Sequence, residues 1–181
     1  GVLLVENEIE VDESLTDLPR VGVTLSLQPG FENMQWLGCG PWENYCDRKR
    51  ASYVDVFAST VAEQYVPYVM PQEHGNHTDV RWMSLDNGNI GVLFKAAQLM
   101  EASASHFTAE DLFAAFHTID LSPRAETIVN LDVKQRGLGT HSCGPDALEC
   151  YRVGAGSYRL DYRIQLFDVS THNAADVARD V

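Results

Sequence analysis

The chain has 181 residues, with 13 Lys and Arg against 26 Asp and Glu, so its formal net charge at pH 7 is −13. With 45% hydrophobic and 22% charged residues, it can bury a core and is too apolar for a disordered protein. The acid excess argues against nucleic acid as a partner, because phosphate binding requires clustered Lys and Arg, and against anionic membranes. No segment approaches the roughly 20 apolar residues of a membrane span.

The chain begins with Gly1 rather than Met, and Gly1–Val5 has the apolar character of a strand interior. It lacks the basic stretch followed by an apolar stretch that is typical of a secretory signal. We therefore expect a piece of a longer protein. Residues 1–181 are predicted to form a single β-sandwich domain, or the C-terminal part of one, with a tail over residues 167–181.

The dominant hydrophobic period is two, which is typical of strands with one buried face. Val21–Gln28 and Tyr158–Leu166 alternate most regularly. Shorter candidate strands lie between them: Met34–Leu37, Ser52–Ala58, Asp79–Leu85, Ile90–Ala96, Leu112–Thr118 and Thr127–Lys134. Many short strands separated by Gly and Pro predict an all-β fold, an antiparallel β-sandwich.

Turn and helix signals complete the local predictions. Asp86–Asn89 contains the Asn-Gly pair of a tight hairpin. Gly154–Ser157 is predicted to be a turn, with Cys150–Val153 as the strand that pairs with the strand after it. Thr108 is a candidate N-cap of a short helix, since acidic residues follow it. Thr171–Val181 is predicted to be a frayed tail or a short helix.

The four cysteines are Cys39, Cys46, Cys143 and Cys150. The six residues between the members of each pair exceed the two to four that zinc sites favour. Four cysteines are also too few for a disulfide scaffold of this length. The sequence favours free thiols over disulfides and leaves the compartment open.

The densest cluster of informative side chains is Trp36–Arg48, where glycines and a proline are followed by aromatic, acidic and basic residues. One interpretation is a structural corner, in which Asp47 and Arg48 pair with neighbours while the aromatic rings fill the core. The other is a sugar site, with aromatic faces against pyranose C–H groups and carboxylates against hydroxyls. Composition alone favours the corner.

A series of short motifs follows in one order along the chain. They are Leu18–Gly22, Trp36–Gly38, Gly40–Tyr45 with Asp47 and Arg48, Tyr65–Glu73, Thr78–Trp82, Gln98–Glu101 and Gly137–Thr140. Together they resemble the C-terminal domain of large bacterial β-galactosidases of glycoside hydrolase family two. The resemblance extends from about Leu18 to Leu166, and the shared order makes it specific.

The resemblance implies a galactose mutarotase-like β super-sandwich that follows a TIM barrel, its partner within the enzyme. A retaining glycosidase needs two carboxyl groups about 5 Å apart at the scissile bond. In the family the barrel supplies both as glutamates, so this chain is expected to contain no catalytic residue and to be inactive alone. The parent is expected to hydrolyse terminal β-galactosides such as lactose in the cytoplasm or periplasm of a bacterium. Homo-oligomers and bound cations are expected of the parent, and no cofactor or metal of this chain.

In the family, one loop of this domain reaches the active site of the barrel and contributes a tryptophan or a cysteine on the aglycone side. The matching loop is Gly137–Pro145, and the resemblance places Cys143 at that position. His141 and Ser142 are expected to add hydrogen bonds to a substrate hydroxyl. The plainer alternative is a surface histidine beside a buried or disulfide-linked cysteine.

The segment Glu73–His77 is a further candidate. Its two histidines suggest a metal site, but Pro71 and Gly75 disfavour the helix that would place them together. The resemblance instead implies a loop near the barrel, so the candidate residues for the mouth of the site are Glu73, His74 and Asn76. Arg81 is predicted to pair with Glu73 or Asp47. The residues expected to form the structural motif are Glu43, Asn44, Tyr45, Asp47, Arg48 and Arg81.

Two alternative functions remain at this point. A stand-alone carbohydrate-binding module would use the aromatic rings of Trp36, Trp42 or Trp82, which otherwise are expected to fill the core. An aldose epimerase would pair a carboxylate base, Glu43 or Glu73, with a histidine acid, His74 or His141. Their spacing gives the epimerase no support.

Overall fold

A computed structural model describes residues 1–141 and 144–179 of the chain. Strands dominate these residues, and the prediction of an all-β, antiparallel fold of the sandwich class is confirmed. The strands are β1 Val2–Val11, β2 Arg20–Leu27, β3 Asn33–Gly40, β4 Tyr53–Thr60, β5 His77–Asp86, β6 Ile90–Ser105, β7 Thr127–Gln135 and β8 Gly156–Asp168. The α-helices are α1 Ala109–Ala114 and α2 Ala174–Arg179, and single 3₁₀ turns occur at Ala62–Gln64, Thr118–Asp120 and Glu149–Tyr151.

The sheet forks along β6, its longest strand. Most of the strands follow the order β1-β8-β6-β5-β3-β4. The first part of β6, Ile90–Ala96, pairs with β8, whereas its last part, Glu101–Ser105, pairs with β7, which in turn pairs with β2. β7 is antiparallel to β6 and forms a side branch of the sheet together with β2. The segment before β7 and the segment after β7 therefore lie at opposite ends of this branch.

The core lies between the inward faces of this forked sheet. Its largest members are aromatic and long aliphatic side chains with almost no solvent exposure. They include Trp36, Met83, Leu85, Phe94, Met100, Leu131 and Leu160. A second cluster joins α2 to the other face of β5 and β6, where Ala174, Val177 and Ala178 pack with Trp82 and Leu93.

Several local predictions are confirmed. Asp86–Asn89 forms the hairpin turn between β5 and β6, with Gly88 at φ +84°. Thr108 caps α1 in a capping box, in which its hydroxyl accepts the Asp111 N–H and the Asp111 carboxylate accepts the Thr108 N–H. The C-terminal tail contains the short helix α2, whose Asp176 N–H is accepted by the side chain of Asn173.

The strand predicted at Leu112–Thr118 is wrong. The capping box starts helix α1 instead, and the bidentate ion pair of Arg124 with Asp111 holds its first turn. The apolar residues of this segment do not alternate as on a strand: Leu112 and Ala115, three residues apart, are buried, whereas Phe113 is 91% exposed.

The strand predicted at Cys150–Val153 is also wrong. Glu149–Tyr151 forms a 3₁₀ turn, and Val153 makes an isolated bridge to Leu18. Strand β8 pairs with β1 and β6, so its partners come from distant parts of the chain that local turn signals do not reveal.

Three of the four cysteines are described, and Cys39, Cys46 and Cys150 are free thiols, as predicted. Burial raises the pKa of the Cys46 thiol to about 11, so this group is protonated at neutral pH. Within the described parts of the chain, no helix is long and apolar enough to cross a bilayer.

Candidate functional site

The motif that follows β3 forms a corner, which we define as residues 41–48. The Trp36 indole, buried in β3, donates through Nε1 to the Cys39 carbonyl and stacks on the His77 ring at 4.1 Å between ring centroids. After Gly40, the corner closes on itself through the backbone bridge between Tyr45 and Arg48. The Tyr45 ring is fully buried, so the corner is anchored in the core.

Glu43 connects the corner to the loop before β5. Its Oε2 accepts the Gly75 N–H at 2.8 Å, at a residue whose φ of +76° suits glycine. Its Oε1 accepts from Arg48 Nη2 at 2.7 Å and from the Tyr68 hydroxyl. Nearly all of the acceptor capacity of this carboxylate is therefore used within the chain.

Asn44 connects the same two segments from the inside. Its Oδ1 accepts both the backbone N–H and the hydroxyl of Thr78, at 2.8 and 2.7 Å, while its Nδ2 donates to the Trp42 carbonyl at 2.9 Å. The Asn44 carbonyl accepts from Asn76 Nδ2, whose second contact is Glu101 Oε2 at 2.7 Å. Burial of these amides is stable because their polar atoms are satisfied.

Asp47 connects the corner to the loop after β7, residues 137–145, which we call the glycine-rich loop. Its Oδ2 accepts the Gly139 N–H at 2.8 Å, and its Oδ1 accepts the Leu138 N–H at 3.3 Å. The corner therefore joins two loops that the sequence places far apart.

Arg136 joins the two ends of the glycine-rich loop through its pair with Asp146 at 2.9 Å, and its pair with Asp17 at 2.6 Å connects the first end to the segment before β2. Inside these ends, Thr140 donates its N–H to the Pro145 carbonyl and accepts the Gly144 N–H. His141 is exposed. The candidates Ser142 and Cys143 lie outside the described residues.

Charged residues that the sequence analysis missed lie behind the corner. Arg20 bridges Glu73 and Asp132, and Glu101 lies close enough to influence Asp132. Burial raises the pKa of both Asp132 and Glu101 to about 7. The sequence signal that could have revealed this charged group is Asp132 itself, an ionisable residue within the largely apolar strand β7.

The predicted pairing of Arg81 is wrong. Arg20 takes the place beside Glu73, and the carboxylate of Asp47 is occupied by loop amides. Arg81 instead donates to the Asp79 carbonyl, two residues before it on β5, because the side chain folds back along its own strand.

The two histidines of the segment Glu73–His77 occupy separate interior positions. His74 shares a hydrogen bond through Nδ1 with the Gln72 carbonyl, and its ring lies against Tyr65. His77 lies at 2.7 Å from Gln64 Oε1, and burial lowers its pKa to about 4, so its ring is neutral. Across the described residues, no group of three or more His, Cys, Asp or Glu side chains is placed to hold a metal ion.

The three tryptophans differ in exposure. Trp36 and Trp82 are buried in the two hydrophobic clusters, as the core-packing interpretation predicts. Trp42, at the start of the corner, is 72% exposed, which contradicts that interpretation for this ring. A large exposed aromatic ring on an ordered backbone is a surface on which a sugar ring can stack.

The corner binds the backbone of two loops, the one before β5 and the one after β7, and so fixes their positions. The carboxylates of Glu43 and Asp47 accept backbone N–H groups of two separate loops, and Arg48 reinforces the first of these contacts. Of the candidate residues for the site mouth, His74 and Asn76 are buried and Glu73 is half-buried in its pair with Arg20.

Comparisons with a family model and with individual known proteins all point to the same family. Residues 3–166 match the family described as the β-galactosidase small chain. The chain is 31% identical to a β-galactosidase of Staphylococcus xylosus, over 91% of the chain and 17% of that relative. It is 33% identical to one of Priestia megaterium over 77% of the chain, and 31% identical to one of Kluyveromyces lactis over 81%, each match covering 14% of the relative. The chain thus spans less than a fifth of the length of these relatives.

Proposed function

Since this chain belongs to the β-galactosidase small chain family, we propose that it is the C-terminal domain of a larger β-galactosidase. The observation that carries the proposal is the match over residues 3–166, within a chain that spans less than a fifth of its relatives. In this proposal the domain is a galactose mutarotase-like super-sandwich, and the catalytic carboxyl pair belongs to a preceding TIM barrel. The enzyme hydrolyses terminal β-galactosides such as lactose.

The proposed role of the domain is to support the barrel and to contribute a loop to the aglycone side of the active site. Cys143 is the proposed contact residue, and His141 and Ser142 are proposed to bind a substrate hydroxyl. The exposure of His141 supports this role. So do three contacts that hold its loop in place, those of Asp47 with Gly139, Arg136 with Asp146 and Thr140 with Pro145. The segment with Glu73, His74 and Asn76 is proposed to shape the mouth of the site through its backbone, because two of these side chains are buried.

The first test uses the chain alone and a chromogenic β-galactoside. We expect no hydrolysis above background, because the proposal assigns both catalytic carboxyl groups to the barrel. Turnover that co-purifies with the chain through successive columns would refute this assignment.

The second test substitutes Cys143→Trp in the complete enzyme. A larger aromatic surface should stabilise a bound aromatic aglycone, so we expect kcat/KM for an aryl galactoside to rise about 3- to 10-fold relative to lactose. Cys150→Trp, the same change at an exposed cysteine outside the loop, is the matched control. Equal ratios in all three enzymes would contradict the loop assignment.

A second candidate function, carbohydrate binding by the chain itself, is favoured by the exposure of Trp42. It predicts that galactose or lactose at millimolar concentration quenches the tryptophan fluorescence of the chain, and that Trp42→Ala abolishes the response. Tyr53→Ala, which removes another exposed ring, is the control and should preserve it. An unchanged spectrum throughout the titration would eliminate this function.

A further inference from the structure

We propose that Asp47 is the positioning residue of the glycine-rich loop, fixing the conformation of residues 137–141 so that the loop approaches the aglycone side in one orientation. This inference rests on the proposed function of the loop. It adds a residue that lies outside the loop and that acts through the backbone of the loop rather than through substrate.

The first support is the contact itself. The two oxygens of one carboxylate accept the N–H groups of successive residues, Gly139 at 2.8 Å and Leu138 at 3.3 Å. Hydrogen bonds to an ionised acceptor are stronger than those between neutral groups. Since the two amides belong to adjacent peptide planes, binding both of them restricts the backbone torsions between the planes as well as the position of the segment.

The second support is the fit of the glycines around this carboxylate. A Cβ at Gly137 would lie 2.7 Å from Asp47 Cγ, so the backbone approaches the carboxylate too closely for any side chain there. Gly139 has φ +63°, and its Cβ would lie 2.6 Å from the Ala147 nitrogen. The segment therefore has room for Asp47 on one side and for the backbone at Ala147 on the other.

The third support is the rigidity of the element that presents Asp47. The turn from Tyr45 to Arg48 is closed in both directions by backbone hydrogen bonds, with Arg48 N–H to the Tyr45 carbonyl at 2.7 Å and the reverse bond at 3.3 Å. Tyr45 is fully buried and Arg48 is held by Glu43. Asp47 therefore holds Gly139, 92 residues further along the chain, in a fixed position relative to the sheet.

Arg136 performs a different task, which separates its effect from that of Asp47. Its pair with Asp146 joins the two ends of the loop, its pair with Asp17 connects the first end to the segment before β2, and its Nη1 donates to the Gly137 carbonyl. With these contacts intact, loss of Asp47 leaves the ends of the loop in place while the peptide planes between them can rotate. The expected result is an attached loop without a defined orientation.

The test compares Asp47→Ala, Asp47→Asn and the wild type in the complete enzyme. Hydrogen–deuterium exchange of a peptide covering residues 136–141 should accelerate about tenfold or more for Asp47→Ala. Asp47→Asn should show a smaller acceleration, because its amide oxygen still accepts one N–H. KM for an aryl galactoside should rise about 3- to 10-fold, with a smaller change in kcat, since the loop binds the aglycone and takes no part in bond cleavage.

Asp111→Ala is the matched control. Its carboxylate also accepts a backbone N–H, that of Thr108 at 2.9 Å, but before β7 and hence at the opposite end of that strand. It should leave exchange in residues 136–141 and KM unchanged. A peptide from β6 reports global stability in every variant, and the acceleration in residues 136–141 of Asp47→Ala should exceed any change in that peptide. Gly137→Ala, which displaces the carboxylate without removing it, should reproduce the effects of Asp47→Ala and serves if that variant does not fold.

The outcomes separate the two proposals. Unchanged exchange in residues 136–141 of Asp47→Ala overturns the positioning role. Faster exchange with unchanged KM leaves Asp47 as the anchor of the loop but overturns the contact between loop and aglycone that the proposed function requires. Faster exchange together with a raised KM supports both.

Discussion

Two carboxyl groups share one guanidinium in the interior behind the corner, and a third lies nearby. Arg20 pairs with Glu73 and Asp132, while Glu101 is hydrogen-bonded to Asn76 nearby. Among the described residues, Oδ1 of Asp132 has no hydrogen-bond partner, so this carboxylate is incompletely compensated for its loss of solvent. Such a site favours the protonated form of a carboxyl group, and burial is the principal cause that raises the pKa of Asp132 and of Glu101 to about 7.

This pKa shift sets the sign of a pH dependence. Between about pH 4 and pH 7 the unfolded chain releases these two protons while the folded chain keeps them, so the contribution of Asp132 and Glu101 to stability falls as the pH rises and levels off above pH 7. Glu101→Gln removes one titrating group. The difference in unfolding free energy, variant minus wild type, should therefore become more favourable by up to about 3 kcal/mol across this window. Urea unfolding at several pH values measures it.

Asp111→Asn supplies the comparison for this experiment. The Arg124 guanidinium holds the pKa of Asp111 down at about 2, so its contribution is lost only as the pH falls below about 4. The same difference plotted for Asp111→Asn should be flat from pH 4.5 to 8. A flat curve for Glu101→Gln over that range would show that Glu101 ionises normally in the folded chain.

At the residue scale, the corner was predictable from the sequence, but the groups that its side chains bind were not. Glu43, Asp47 and Arg48 stand out because acids and a base cluster beside glycine and proline. The receiving groups are backbone amides 32 and 92 positions away, and a backbone amide has no sequence signature. Arg20 was overlooked for a related reason, since only the fold brings it beside Glu73.

Helix α2 is an element whose stability comes from packing, because six residues are too few for a stable isolated helix. Val177, which is 3% exposed, packs in the cluster of Trp82 and Leu93. Val177→Ala leaves a cavity there, and we expect a loss of about 1–3 kcal/mol in the unfolding free energy. Urea unfolding followed by tryptophan fluorescence is the measurement.

Val69→Ala makes the same substitution at a side chain that is 95% exposed. It should change the unfolding free energy by less than about 0.5 kcal/mol. If both variants were equally stable, α2 would not pack on the sheet in solution.

The elements themselves were largely predictable where the hydrophobic period was long. β2 and β8 follow their alternation closely, and the Asn-Gly turn places β5 and β6 in sequence. The strand prediction for residues 112–118 was wrong because a capping box and an ion pair stabilise helix α1 more than a short apolar alternation favours a strand. Leu112 and Ala115 are buried while the rings of Phe113 and Phe116 are exposed, a spacing of three that suits the helix rather than the strand.

At the scale of the whole molecule, composition and period were sufficient for an antiparallel all-β fold, whereas the branching of the sheet was not predictable. β6 changes partner along its length, from β8 to β7, and each partner follows it by more than twenty residues. Strand register at such separations depends on the fit of entire faces rather than on any local turn.

The pairing of β1 with β8 has a consequence for biosynthesis. Val2 lies opposite Gln165, and Val11 lies opposite Gly156, so the first strand meets its partner only after almost all of these residues have been translated. At ordinary elongation rates of about 5–20 residues per second, that delay is roughly 10–30 seconds. Throughout it, the backbone N–H and C=O groups of β1 have no partner strand, so we expect chaperones at the ribosome to bind this segment.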